Sequence, residues 1–333
     1  MKRLQWMMAG CLWLVMAAPL SADAGSEVEV PGPNERLSDA RTSDLERVDE
    51  LQPVRVAEDV YAIIGSIDGR SYDNLGLTMN LGFVVTDEGV VLIDSGPSYA
   101  FGEMLEAAIG EITDQPVTHV IGIGSQDHRW MADGYFREQG AELITLERTA
   151  ETRRDFADDH IERMSGILED RFEGTEAVVT DEPLEGDRHE LKIGGTAFHL
   201  EFWADAHFPG DAVVYLPQTD VFFSGDMVYL DRMLGIHPWS DPVAWLTAVE
   251  KLEEKAPAAV VPGHGDVAGM DLVTAETGDY LRFVISGVEQ ALEDWASLQE
   301  AVDDLGDAPQ FEHLEHFGDW HRTNINRTYL FME

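Results

Sequence analysis

Three stretches of this chain set a potential metal ligand just past the end of an apolar run. Phe198 to Trp203 leads into "ADAHFPGD", which carries His207. Val221 to Phe223 leads into "SGDM", with Asp226, and Ala258 to Val261 leads into "VPGHGD", with His264 between two glycines. Imidazoles and carboxylates are the ligands of zinc or iron, and a metal needs them to converge from separate elements. Loops at one edge of a sheet provide that convergence, and the glycines beside His264 let its backbone turn tightly. Each residue alone has an ordinary role, as a hydrogen-bonded loop histidine or an acid that fixes a turn. The three in this order point to a metal. A fourth stretch, "GSQDHRWMADGYF" from Gly124 to Phe136, sets Asp127, His128 and Arg129 side by side and holds a single histidine.

These positions need strands to carry them. "VRVAEDVYAIIG", from Val54, predicts a strand pair at the start of the ordered domain. In "NLGFVVTDEGVVLIDSG", Asn80 to Gly96, two β-branched runs flank Thr86-Asp87-Glu88-Gly89, a hairpin pattern. "GDAVVYLPQTDVFFSGDM", Gly210 to Met227, repeats that plan around Pro217 to Asp220, which suggests two similar halves. Helical patterns cover Tyr99 to Ile112, Gly134 to Gln139, Arg148 to Asp170 and Pro242 to Lys255, and return from Asp271 to Leu305. Further strands are predicted at Val117 to Ile123, Ala197 to Ala204 and Ala258 to Val261. Hairpins in both halves, with helices between strands, predict a mixed pair of sheets covered by helices.

With these motifs in place, the chain from Val54 to Gly265 resembles the metallo-β-lactamase fold superfamily. The resemblance implies an α/β (α+β) fold, a four-layer αββα sandwich with a one- or two-metal site between its sheets, here with a C-terminal helical extension. It gives residues 51–270 as the metallo-β-lactamase-like domain and 271–333 as the extension. On the family pattern His207 matches the histidine of the first metal site, Asp226 the bridging aspartate and His264 the histidine of the second site. Asp94 matches a structural aspartate that orients the metal loop.

The family's H-x-H-x-D-H signature is degenerate here. An ungapped match puts Gly124, Gln126, His128 and Arg129 at the four ligand positions. A match shifted by one residue makes Asp127-His128 the Asp-His pair, with Ile123 and Ser125 at the histidine positions. Both remain open. In either, the implied metal ligands are His128, His207, Asp226 and His264, joined by Asp127 in the shifted register, and they suit a single divalent ion, zinc or alternatively iron. In the ungapped register Arg129 would place a fixed positive charge in the vacated first pocket, against a second metal, and could hold an anionic substrate group or form an ordinary salt bridge. Asp127 or Asp226 could orient water as general base. The resulting expectation is a metal-dependent hydrolase that directs water at an ester, thioester or amide-like bond of a small, potentially anionic molecule. The alternative is a catalytically inactive, ligand-binding derivative of the same fold.

Composition narrows the setting. Lys2 and Arg3 precede an apolar run from Leu4 to Leu20, followed by Ala22-Asp23-Ala24, so residues 1–24 have the form of a secretory signal peptide. Cys11, the only cysteine, would leave with it, and the mature chain would have neither disulfide nor thiolate ligand. Residues 25–50 are acidic, contain Pro31-Gly32-Pro33 and lack apolar periodicity, as a flexible leader would. A periplasmic or secreted protein is expected, with no stable membrane span after cleavage. Sixty-four acidic residues against twenty-two basic ones leave a net charge of −42. Such a field repels nucleic acid and anionic membranes and suits a surface adapted to high salt. In the tail, "FEHLEHFGDWHRTNINRTYLFME" brings His313, His316 and His321 near Trp320 and Arg322, a pattern for an amphipathic closing helix or a second metal site. Tyr72-Asp73-Asn74 and Trp130 are candidates for a pocket rim.

Overall fold

Alternating apolar side chains give most strands of this protein one face for a core and one for a covering helix. The computed structural model describes residues 51–333, so the segments read as signal peptide and leader lie outside the described residues. The first sheet runs β1 (Val54–Ala57), β2 (Val60–Ile63), β3 (Leu81–Thr86), β4 (Gly89–Ile93), β5 (Val117–Gly122) and β6 (Glu142–Thr145), in spatial order β1-β2-β3-β4-β5-β6. The second contains β7 (Arg188–Ile193), β8 (Thr196–Glu201), β9 (Val213–Leu216), β10 (Val221–Tyr229) and β11 (Ala259–His264), in order β11-β10-β9-β8-β7. The β3–β4 and β9–β10 hairpins form where the β-branched runs and polar turns predict them.

Val84, Val91, Ile93 and Ile121 of the first sheet meet Phe198, Val214, Phe223 and Val261 of the second in one buried cluster between the sheets. On the outer face of the first sheet, α1 (Tyr99–Gly110) and α3 (Asp133–Glu138) bring Phe101, Leu105 and Phe136 onto Phe83, Leu92 and Val120. On the outer face of the second, α5 (Pro242–Lys255) and α7 (Asp279–Glu293) bring Trp245, Val249 and Leu281 onto Phe222, Val228 and Val260. Phe222 and Phe223 are successive residues on opposite faces of β10, as the two-residue period of a strand requires. The layers are αββα. Between β5 and β6 come α2 (Asp127–Trp130) and α3, and α4 (Glu147–Leu168) follows β6. The helical C-terminal region holds α6 (Met270–Val273), α7, α8 (Leu298–Leu305) and α9 (Phe317–Met332), and Ile325 and Tyr329 of α9 join the outer core of the second sheet. Among the described residues no helix is long and apolar enough to cross a membrane.

Three features differ from the sequence pattern, the first being β6, which no strand prediction covered. β7 was not predicted, because its residues are mostly polar; only Ile193 at its end is buried, which suits a strand at the sheet edge. β10 continues through Asp226 to Tyr229, so the aspartate sits within a strand and not in a loop beyond it. Its pairing with β11 shifts between Phe223 and Gly225 and again between Gly225 and Tyr229. Bulges of this kind re-aim side chains while the strand goes on.

Candidate metal centre and its pocket

β10 and β11 run parallel and deliver Asp226 and His264 to one end of the sheet pair. β5 of the opposite sheet runs into a short loop and then α2, which delivers Asp127, His128 and Arg129 to the same end. His128, Asp226 and His264 converge there: one ligand atom from each lies within 4.8 Å of the others, and all three residues are buried. His128 Nε2 stands 3.7 Å from Asp226 Oδ2, and His264 Nε2 stands 3.2 Å from Asp226 Oδ1. His128 Nε2 and His264 Nδ1 are buried without a hydrogen-bond partner, an arrangement that buried polar atoms rarely tolerate unless a ligand completes them.

Arg129 lies in the same cluster. Its guanidinium grips both oxygens of Asp226, with Nε donating to Oδ2 at 3.1 Å and the second bond running to Oδ1. It also donates to Asp94 Oδ2 at 2.8 Å. Asp94 in turn accepts on Oδ1 from the backbone N–H of Ile123 and Gly124, at 2.8 and 3.0 Å, and so ties down the loop that precedes α2. The Arg129 side chain runs directly over Gly124. A Cβ built at that glycine would come within 1.8 Å of Arg129 Cδ. Any side chain at 124 would therefore displace Arg129, which accounts for a glycine at that position. Gly263 is required for the same kind of reason, since a Cβ there would approach Asp226 Oδ1 to 2.5 Å.

Burial and charge set the protonation states. Burial, followed by the Arg70 charge, pushes His128 down to about 3, and burial takes His264 down to about 4. Burial would raise the Asp226 carboxyl, but Arg129 and His264 together hold it well below the usual carboxylate range. Two neutral imidazoles and one carboxylate are the forms in which these side chains bind a metal. His128 Nδ1 lies 2.9 Å from Asp127 Oδ1 and 2.5 Å from Arg70 Nη2, so its Nε2 is the ring nitrogen that faces Asp226. A carboxylate behind a ligating imidazole is a common outer support of metal sites.

The structure does not bring every predicted residue into this cluster. His207 is buried nearby, but its Nδ1 donates to Gly235 O at 3.0 Å and its Nε2 accepts from Tyr229 Oη at 3.1 Å. Asp127 turns away from the three donors. Its Oδ1 accepts from the His128 N–H and lies 2.9 Å from Arg70, while its Oδ2 accepts from Arg163 Nε at 2.6 Å. Arg129 is committed to Asp226 and Asp94, beneath the cavity rather than on its wall. Trp130 is fully buried in a cluster with Met164, Leu168 and Phe172, so it is core and not pocket rim. Tyr72 packs under Arg171 and donates to Asp170. In the tail, His313 faces Glu276, His316 faces Asp319, and His321 hydrogen-bonds Leu305 O and Tyr280, so the three histidines have separate partners.

A cavity of about 130 Å³ opens beside the cluster, with His128, His207, His264, Tyr229 and His237 on its wall. Arg70, Arg163 and Arg232 also line it, and sequence reasoning missed all three. The one local hint is Gly69-Arg70, an arginine in a glycine-flanked loop. Asp211 was missed as well. It is buried and holds Ser125 through the backbone N–H and the hydroxyl, at 3.0 and 2.9 Å; burial and the Asp226 charge push its carboxyl up to about 8.

Known proteins share this architecture and this stretch of sequence. The profile of the metallo-β-lactamase superfamily matches residues 126–264, from the degenerate signature to the β11 histidine. The chain is 24% identical to metallo-β-lactamase IND-1 of Chryseobacterium indologenes over 221 residues, covering 65% of this chain and 82% of that protein. A type 2 metallo-β-lactamase of Bacteroides fragilis is 31% identical over 91 residues, 26% of this chain and 36% of its own. Among solved structures, a metallo-β-lactamase from Pontibacter korlensis superposes with a TM-score of 0.55 at 22% identity, covering 70% of this chain and 99% of its own. The sec-alkylsulfatase Pisa1 from Pseudomonas sp. gives a TM-score of 0.64 at 14% identity, and this chain matches half of its length. The stretch from residue 126 to residue 264 thus matches the metallo-β-lactamase superfamily, whose members are hydrolases that typically bind divalent metals, and the chain shares the fold of a solved metallo-β-lactamase.

Proposed function

We propose that the protein is a metal-dependent hydrolase of a small molecule, working with one divalent ion held by His128, Asp226 and His264. The observation that carries this reading is the convergence of three buried donors within 4.8 Å. Two nitrogens of that cluster have no partner inside the protein. Three protein ligands with an open position suit a catalytic zinc, and two imidazoles with one carboxylate also suit iron. The donor set fits one ion and not two, because the Arg129 guanidinium occupies the remaining space beside Asp226. When bound, the ion would supply Lewis-acid polarisation of the scissile bond and easier deprotonation of water.

The chain's own residues supply the rest. Arg129 and Asp94 fix the Asp226 carboxylate and the loop before α2. Asp127 orients the His128 ring from behind, and its engaged oxygens make it a positioning residue. Tyr229 and His207 form a hydrogen-bonded pair on the cavity wall, with the phenol donating to His207 Nε2. Burial and the Asp226 charge raise the Tyr229 phenol well above its ordinary value, so it keeps the proton that it gives to His207 Nε2. Analogies for the activity come from the metallo-β-lactamases and the sec-alkylsulfatase that the chain is similar to. The pattern of residues 1–24 supports export to the periplasm or beyond.

The bidentate Arg129–Asp226 pair favours a second reading, in which the fold binds a ligand without hydrolysing it. Metal analysis separates the two. Protein purified without chelators should carry close to one zinc or iron per chain, and His264→Ala should lose most of it. A metal-free protein that takes up neither ion on titration would remove the hydrolase reading and leave the binder.

A further inference from the structure

Arg70, Arg163 and Arg232 reach the cavity from three separate elements: the connection between β2 and β3, α4, and the chain just after β10. Among the described residues, Asp68 is the one other charged side chain on its wall besides the histidines, so three of these four are arginines. Acids outnumber bases 64 to 22 in this chain, and most arginines in such a protein would be expected to meet a carboxylate. Arg232 has no carboxylate ion pair among the described residues. Its Nη1 makes one long bond of 3.4 Å to Asp68 O, and its buried Nε has no partner. The buried Nε of Arg70 is likewise unpartnered. Arg70 and Arg163 take one oxygen each of the single Asp127 carboxylate, which leaves this trio of residues with a net positive charge. The guanidiniums stay charged at any working pH, and holding them together costs Coulomb energy unless an anion joins them.

We propose that Arg70, Arg163 and Arg232 form a cradle for a tetrahedral oxyanion, so that the substrate carries a sulfate or phosphate group seated beside His128. A planar carboxylate is satisfied by one guanidinium fork. Three forks arriving from different directions, two of them with an unused Nε–H, match an anion whose oxygens point several ways. Arg70 Nη2 lies 2.5 Å from His128 Nδ1, so a group held by Arg70 sits next to the three-donor cluster. His237 on the same wall adds a neutral donor. The substrate then belongs to the esters of tetrahedral oxyacids. That assignment of the reacting group rests on the hydrolase reading, whereas the cradle itself does not.

The test is calorimetric titration of the full-length protein, with and without one equivalent of zinc, using inorganic sulfate, phosphate and acetate at constant ionic strength in chloride. Sulfate or phosphate is expected to bind one per chain, at least tenfold more tightly than acetate, in the metal-free protein too. Arg232→Gln and Arg70→Gln should each weaken that binding at least tenfold. Arg232→Lys, which keeps the charge but loses the fork, should fall between. Arg188→Gln on β7, outside the cavity, should bind as the parent does, and thermal melts check that every variant is folded. The proposal is overturned if neither tetrahedral anion binds, if acetate binds equally well, or if folded Arg232→Gln and Arg70→Gln bind unchanged. Anion binding without hydrolysis of any ester would sink the hydrolase reading and leave the cradle standing. Hydrolysis of uncharged esters without anion binding would do the reverse.

Discussion

Arg129 is the residue that most changes what this site can be. It is 1% exposed and spends its fork on Asp226 and Asp94, so a buried charge that would be costly alone is matched by two carboxylates. Breaking such a buried pair costs about 3–5 kcal/mol, which explains why Gly124 must stay free of a side chain. Asp226 and His264 were nameable in the sequence because each follows a strand-like run, and His128 because its stretch resembles the family signature. Asp127 was left between two roles, and the geometry gives an expectation for it. Its oxygens point to Arg70, Arg163 and the His128 Nδ1 side, away from the three donors. Asp127→Asn should therefore keep a metal site while weakening its affinity about 10–100-fold, the usual loss when an outer partner is removed. His128→Ala should abolish tight binding. Metal titration of both variants checks this, and equal losses in the two would make Asp127 a ligand after all. The arginine cradle could not be read in advance, since Arg70, Arg163 and Arg232 are far apart in the chain and meet only through the fold.

At the scale of elements, the legible parts were those with strong periodicity or strong punctuation. α5 was predicted with its observed bounds because Asp241 caps it, accepting from the Ala244 N–H at 2.8 Å, and Pro242 opens it. The hairpins were legible because their polar turns stand between β-branched runs. β7 escaped because an edge strand with one buried residue carries little apolar signal. The course of β10 escaped because a bulge is set by its pairing with β11, not by its own residues. α4 was predicted, but not its mixed face: it buries His160 between Trp130, Phe156 and Phe208, with neither ring nitrogen hydrogen-bonded. Burial takes that imidazole down to about 4. A histidine whose folded pKa is depressed takes up its proton more readily when unfolded, so its contribution to stability is lost as pH falls from about 6.5 toward 4. His160→Phe keeps a ring of similar shape and removes the titration. It should raise the melting temperature more at pH 5 than at pH 7.5. Equal shifts at the two pH values would mean that His160 is not a source of acid sensitivity.

At the scale of the molecule, charge dominates. A net −42 leaves many carboxylates within reach of one another on the surface, and their repulsion opposes the compact state. Salt shortens that reach, from a Debye length of about 10 Å at 0.1 M to about 3 Å at 1 M. The unfolded chain spreads the same charges further apart, so screening relieves the folded state more. The melting temperature should therefore climb between 0.1 and 1 M potassium chloride at pH 7.5. A relief of about 1–2 kcal/mol would move a domain of this size by roughly 2–8 °C. Chloride is the right anion for this test, because sulfate and phosphate would also fill the proposed cradle and stabilise by binding. A second pH identifies the cause. Near the sequence pI of about 4.3 the net charge vanishes, and with it the repulsion that salt screens. Any stabilisation by chloride that comes from repulsion should shrink sharply at pH 4.5, even though the protein starts from a lower melting temperature there. A salt increment of the same size at both pH values would point to general solvent effects on apolar burial. A melting temperature that is highest at low salt at pH 7.5 would contradict the salt-adapted surface that the composition suggests.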